Sequence, residues 1–340
     1  MNFPFVSVII PMRNEAAWID RCLGSVLNQD YPTQQMEILV ADGMSTDDSA
    51  ARLAELAARD PRIRVISNPG LIVPTGLNLA IGAARGEVIA RIDAHTVIER
   101  DYLRRGVELL ERTGASNVGG PMVCRGGSPI AEAIASAMES RFGIGATFHF
   151  ASNETECDTV YMGMWPRKVF EDVGLFDEEL VRNQDDELSY RIRKAGGRIV
   201  VSPGMRSLYQ NRESWKALAR QFFQYGVWKV RVLQKHPRQM SLRHFVPPAF
   251  QAAIALLVLV GVVWRPALWT ALAIVALYAG ILAIVAARSA REASEQARLW
   301  LALVLIHQCW AAGFLTGVWR FRDRWGKPET APRRLVARWR

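Results

Sequence analysis

An apolar run from Val88 to Ile92 ends in Asp93, and two residues later stands His95. A carboxylate at a strand end with an imidazole beside it has the donor types to grip a divalent cation. Two earlier apolar runs end in the same way. "VSVIIPM" gives way to Arg13, Asn14 and Glu15, and "MEILVADG" closes on Asp42 and Gly43. Further along, "NQDDELSYRIRKAGG" crowds Asp185, Asp186 and Glu187 ahead of Leu188 and Ile192, which have helical spacing. Taken singly, these residues have plain structural readings. Asn14 can cap a helix, Asp42-Gly43 can make a turn, and acids in a first helical turn complement the helix dipole. Their recurrence at successive strand ends points instead to a site. An aspartate among like charges also has its pKa pushed up, toward useful basicity.

The elements that must position these residues can be read from the same stretches. Apolar, β-branched runs at 6–12, 36–43, 62–67 and 87–93 alternate with helix-like stretches at 16–27, 46–60 and 74–84. This rhythm predicts an α/β domain with a parallel sheet covered on both faces. Such sheets bind ligands at the carboxyl ends of their strands. No G-x-G-x-x-G follows the first strand and no P-loop occurs, so dinucleotide and P-loop chemistry are disfavoured. Cys22, Cys124, Cys157 and Cys309 have no metal-ligand spacing and read as reduced thiols.

The last third of the chain is different. Apolar segments at about 248–264, 267–287 and 299–319 are flanked by tryptophans, and the last two reach the ~20 residues that span a bilayer. The formal charge of +9 is concentrated there: residues 1–245 carry a net +1 and residues 288–340 a net +7. Basic flanks suit anionic lipid headgroups, and nucleic acid is discounted as a partner. The N-terminus lacks a basic n-region, so the first 245 residues are expected in the cytoplasm. Three crossings from there would leave the basic tail outside, against the positive-inside tendency. His307 and Gln308 inside the third segment are expected to face protein.

The order and spacing of "VSVIIPMRNE", "ILVADGMSTDDS", "GLNLAIGAARGEVIARIDAH", "GLFDEEL" and "NQDDELSYRIRKAGG" resemble glycosyltransferase family 2 over roughly residues 5–235. "DAH" in the D-x-D place, "QDDEL" and the apolar C-terminal segments look most like the succinoglycan glucosyltransferase (ExoA-like) subgroup. The resemblance implies a GT-A fold, Rossmann-like with a mixed sheet, in a cytoplasmic domain spanning 1–235. After it come a linker at 236–247, a membrane region at 248–319 and a basic tail at 320–340.

By the same resemblance, Pro11, Asn14, Glu15 and Asp42 bind the nucleotide of a UDP-sugar, with Arg212 at its diphosphate. Asp93 holds Mg²⁺ or Mn²⁺, and His95 either binds that metal or orients the site. Asp185 is the catalytic base, with Asp186 the competing assignment. Gly163, Trp165, Gln221 and Tyr225 serve the acceptor, Trp165 offering a sugar-stacking face. Gln224 and Tyr225 depart from the Q-x-x-R-W of processive members, which points to transfer of a single sugar. The implied reaction is inverting transfer, with glucose from UDP-glucose as the expected donor group, to a lipid-linked saccharide in exopolysaccharide assembly at the inner membrane. Transfer to polyprenyl phosphate is the alternative, and an inactive membrane scaffold the alternative of another class. A homo-oligomer is left open. Apolar positions of the stretch after residue 214, Phe222, Trp228 and Val232, are expected to lie on the membrane surface.

Overall fold

The computed structural model describes residues 3–143, 151–211, 213–326 and 334–335. The chain forms two compact units, one of residues 1–123, 146–210 and 330–340, the other of 124–145 and 211–329.

In the first unit, strands and helices alternate as the apolar runs predict: β1 (Val6–Met12), α1 (Ile19–Leu27), β2 (Met36–Asp42), α2 (Ser49–Arg59), β3 (Ile63–Ser67), α3 (Val73–Ala83) and β4 (Val88–Arg91). There follow β5 (Thr96–Ile98), α4 (Tyr102–Thr113), β6 (Asn117–Gly120) and β7 (Met122–Arg125), which runs up to the second unit, where α5 (Pro129–Glu139) lies. The chain returns to the first unit with β8 (Thr155–Glu156), β9 (Tyr161–Pro166), α6 (Lys168–Asp172), α7 (Gln184–Lys194), β10 (Ile199–Val201) and β11 (Ser207–Gln210).

The main sheet has the order β3-β2-β1-β4-β9-β6-β10-β8. β3, β2, β1 and β4 are parallel, while β9 runs antiparallel between β4 and β6. The order reverses at β1, which lies between β2 and β4, and that is where open α/β sheets bind their ligands. β1, β2 and β4 are apolar on both faces because both faces are covered: Val6, Val8 and Ile10 lie in one core, Ile9 and Leu39 in the other. Pro11, which has no N–H to give, sits where β4 has already ended its pairing at Ile9 opposite Arg91. A small second sheet pairs β5 with β11 antiparallel, Tyr209 opposite Thr96.

The second unit is helical: α5, α8 (Trp215–Lys235), α9 (Val246–Gly261), α10 (Arg265–Ser289) and α11 (Ala293–Arg320). α10 and α11 are long and apolar enough to cross a membrane. α9, with 16 residues, extends only ~24 Å and falls short of a hydrocarbon core of ~30 Å. Only 17% of the most apolar stretch of α10 is buried. A helix apolar all round yet this uncovered needs apolar surroundings. His307 and Gln308 do face protein. Gln251 donates to the Gln308 carbonyl and side-chain oxygens, both at 2.9 Å, and Tyr278 Oη lies 3.1 Å from His307 Nδ1.

α8 departs from expectation. Phe222 and Val232 are buried, and Trp228 packs on a cluster of Val227, Val230, Phe314 and Phe321. Trp228 thus packs with Phe314 of α11, and Phe222 and Val232 are covered by protein. Glycines make the approach possible. A methyl group on Gly313 would fall 2.0 Å from the Phe223 carbonyl oxygen, and one on Gly226 2.1 Å from that of Trp310.

This seam yields a test with opposite signs. Alanine normally stabilises a helix by up to ~1 kcal/mol over glycine. Gly280→Ala, with nothing within 4 Å of the new methyl, should leave thermal unfolding in detergent unchanged or improved. Gly313→Ala should destabilise the chain by about 1–3 kcal/mol, because backbone must move.

Candidate active site

The loops after β1 and β2 are stitched together by short polar side chains. The Asn14 N–H donates to Ser45 Oγ (2.9 Å), and the Thr46 N–H donates to Asn14 Oδ1 (2.8 Å). The Glu15 N–H donates to Ser49 Oγ at 2.7 Å. Ser45 Oγ donates to Asp42 Oδ1 at 2.6 Å. Asn14 therefore shapes this edge by bridging two loops. Gly43 is required by crowding: a methyl there would meet the Leu71 carbonyl oxygen at 3.2 Å and Arg13 Cβ at 3.3 Å.

Asp93 follows the end of β4 and is not free. Arg91 Nε and Nη2 donate to its two oxygens at 2.8 and 3.2 Å. His95 Nδ1 lies 3.2 Å from Glu15 Oε1. The ring stands edge-on to Tyr209, with centroids 5.2 Å apart. Tyr209 in turn meets Tyr161, whose hydroxyl is 2.6 Å from Thr96 Oγ1. Among the described residues, no three His, Cys, Asp or Glu side chains gather to bind a metal by themselves. The donor set still fits Mg²⁺ or Mn²⁺ held partly by phosphate oxygens and water, which takes one or two protein ligands. With the Glu15 carboxylate at Nδ1, it is Nε2 of His95 that would face a metal, the arrangement common behind metal-bound histidines. Arg91 leaves lone pairs on the Asp93 oxygens.

α7 carries the three crowded acids, and they differ. Glu187 is buried and paired at two points with Arg191, 2.7 and 2.8 Å. Arg191 also donates to the carbonyls of Val173, Gly174 and Leu175. Asn78 closes the same connection, exchanging hydrogen bonds with Phe176 at 2.9 and 3.0 Å. The helix start is thus fixed from behind. Burial pushes the Asp185 carboxyl above the usual aspartate range. Arg91 pulls it down, while Asp186 and Asp93 push it further up. Asp93, Arg91 and Asp185 therefore belong to one electrostatic cluster. The Asp186 N–H donates to Asp185 Oδ1 at 2.9 Å.

Trp165 corrects an expectation. It is 2% exposed and packs edge-on against Phe170 and Phe176. It has no face open to a sugar. Gly163, at φ 105°, makes room for that ring: a methyl there would lie 2.4 Å from it. Gln221 and Tyr225 lie on α8 in the second unit, joined by a 2.9 Å hydrogen bond from Gln221 Nε2 to Tyr225 Oη. Arg212 lies outside the described residues.

The sequence reading passed over Arg91, although a charge inside an apolar strand was a signal. It also passed over Ser45, Met44 and Leu71. Among the described residues, the non-glycine positions with positive φ are Asn14, Met44, Leu71, Met162 and Asn183. The first three follow β1, β2 and β3, and Asn183 precedes the helix of Asp185. Backbone strain collects at functional edges.

An open α/β sheet that reverses at β1, with Asp42 ending β2 and Asp93 just beyond β4, has the arrangement of the GT-A fold. The model for "Glycosyl transferase family 2" matches residues 7–174. The succinoglycan biosynthesis protein ExoA of Rhizobium meliloti (strain 1021) is 31% identical, over 93% of this chain and 96% of that one. This chain therefore belongs to glycosyltransferase family 2. The dolichyl N-acetyl-alpha-D-glucosaminyl phosphate 3-beta-D-2,3-diacetamido-2,3-dideoxy-beta-D-glucuronosyltransferase of Methanococcus voltae is 29% identical, over 68% of this chain and 74% of that one. In structure the chain resembles the mannosyltransferase PcManGT of Pyrobaculum calidifontis in complex with GDP-Man and Mn²⁺. Its TM-score is 0.62 at 20% identity, covering 94% of this chain and 88% of that one.

Leu71, 40% exposed at φ 64°, offers a test of the strained edge. Leu71→Gly should stabilise the protein by about 0.5–1 kcal/mol in thermal unfolding, since glycine takes this φ freely. A loss of stability would mean that the side chain packs.

Proposed function

We propose that the enzyme moves one hexose, glucose from UDP-glucose, to a hydroxyl of a lipid-linked saccharide during exopolysaccharide assembly. The observation that carries this reading is the cluster of Asp93, Arg91 and Asp185 at the carboxyl edge of the sheet. The likeness to ExoA supports the pathway, and the acceptor in the Methanococcus enzyme's name supports a lipid-linked saccharide.

The reaction is a single displacement with inversion. The acceptor oxygen bonds to the sugar C1 as the bond from C1 to the diphosphate oxygen breaks. Asp185 takes the acceptor proton. Asp42 accepts a hydrogen bond from the uracil imide N–H, while Pro11, Asn14 and Glu15 shape the base and ribose pocket. Asp93 and His95 hold Mg²⁺ or Mn²⁺. A divalent ion held there would supply positive charge facing the leaving diphosphate. Gln221 and Tyr225 serve the acceptor, and Arg212 the diphosphate. Crossings by α10 and α11 would return the basic tail to the side where α10 starts. This agrees with a cytoplasmic catalytic unit at the inner membrane.

Membranes carrying the protein, incubated with radiolabelled UDP-glucose, UDP-galactose, UDP-GlcNAc and GDP-mannose, test the donor. Label from UDP-glucose should enter lipid-extractable product and vanish in excess EDTA. Label entering from GDP-mannose alone would overturn the uridine assignment, and full activity in EDTA the metal.

The base is tested by a pair of variants. Asp185→Asn should lower kcat by ~10²–10⁴ with UDP binding retained, whereas Asp186→Asn should be mild. Because Asp185 must be ionised to act and its carboxyl is raised, kcat should fall with decreasing pH through a value above the ordinary ~3.9. A dead Asp186→Asn beside an active Asp185→Asn would move the base by one residue.

A further inference from the structure

Arg91 is the last residue of β4, inside the sheet and 6% exposed. An arginine in that position is stable only if its charge is matched. Nε and Nη2 hold the two oxygens of Asp93 at 2.8 and 3.2 Å. Nη1 is buried without a hydrogen-bond partner. After Asp93, the carboxylate that acts most strongly on this guanidinium is Asp185. One fixed cation thus lies in the field of two carboxylates that repel each other. Only a guanidinium gives the two-point grip on Asp93, so lysine keeps the charge and loses the geometry.

We propose that Arg91 is a positioning residue that couples the two ends of the reaction, aiming the Asp93 carboxylate with two hydrogen bonds while its fixed charge acts on Asp185. This rests on the roles given above to Asp93 and Asp185. A purely structural ion pair would affect folding alone. The positioning role also ties Mn²⁺ binding at Asp93 and turnover at Asp185 to the same side chain.

The test uses the full chain in detergent, with Arg91→Lys, Arg91→Met, Asp93→Asn, Asp185→Asn and the double variant Arg91→Lys/Asp185→Asn. Near-UV circular dichroism checks folding, and electron paramagnetic resonance measures Mn²⁺ bound in the presence of UDP. Transfer from UDP-glucose gives kcat and KM. Arg91→Lys should fold, weaken Mn²⁺ binding by about 10–100-fold and lower kcat to a similar degree. KM for the acceptor should stay within about threefold. If Arg91→Met folds it should be worse on both measures; if it does not, Arg91→Lys alone decides. The double variant should lose little beyond Asp185→Asn, because residues acting as a unit are non-additive. Wild-type Mn²⁺ binding in Arg91→Lys, or losses that multiply in the double variant, would overturn the inference. If Asp93→Asn and Asp185→Asn both remain fully active, the functional reading fails instead. If both are dead and Arg91→Lys matches wild type, only the coupling fails.

Discussion

The candidate site depends on the parallel ladder that β1 makes with both neighbours. Met12 pairs with Asp42 on β2, and Ile9 pairs with Arg91 on β4. A slip of one residue in either pairing would turn every side chain to the opposite face. Ser7 opposes that slip, since its hydroxyl donates to the buried Glu37 and a shift would carry it to the other face. The same ladder delivers the Arg91–Asp93 pair to the carboxyl edge. The amino end of these strands is tied up by a buried glutamate. There, Glu37 accepts hydrogen bonds from Ser7 Oγ and the Arg85 N–H at 2.7 Å each, and from Arg64 and Arg85 side chains at 3.0 Å.

Much of this was legible because β1 to β4 are continuous apolar runs of strand length, separated by helices of ordinary length. The acidic residues at their ends could be found by looking where a parallel sheet binds ligands. Trp165 was misread for a physical reason. A tryptophan beside a glycine looks the same in sequence whether the glycine opens a site or makes room for the ring. Burial between Phe170 and Phe176 decides it, and those residues come from a later helix and loop. α8 failed similarly. Its apolar positions fit a membrane surface as well as a protein neighbour, and Gly313 and Gly226, far apart in sequence, determine which applies.

Among the described residues of the second unit, hydrogen bonds join the apolar helices, Trp300 Nε1 to the Ala279 carbonyl at 3.0 Å among them. Gln251 with Gln308, and Tyr278 with His307, lie between helices whose outer faces are apolar. Trp264, Trp269 and Trp319 are exposed near the helix ends, as residues that seek the lipid interface are. Hydrogen bonds between such helices are only modestly stabilising. Close packing at glycines must therefore supply the rest.

Three partly or fully buried carboxylates show how environment separates structure from reactivity. Burial pushes the Glu37 carboxyl up, but hydrogen bonds from Ser7, Arg85 and Arg64 more than offset it and hold the group below its ordinary range. Glu187 is matched at two points by Arg191, which is itself tied to three carbonyls. Asp185 lies one turn from a fixed anchor and near one shared arginine, with two like charges close by. Its net balance leaves it raised, where proton uptake becomes favourable. Moving Arg91 wholly onto Asp185 would lower it again. By directing the guanidinium at Asp93, at 2.8 and 3.2 Å, the fold leaves the Asp185 carboxyl raised by its burial.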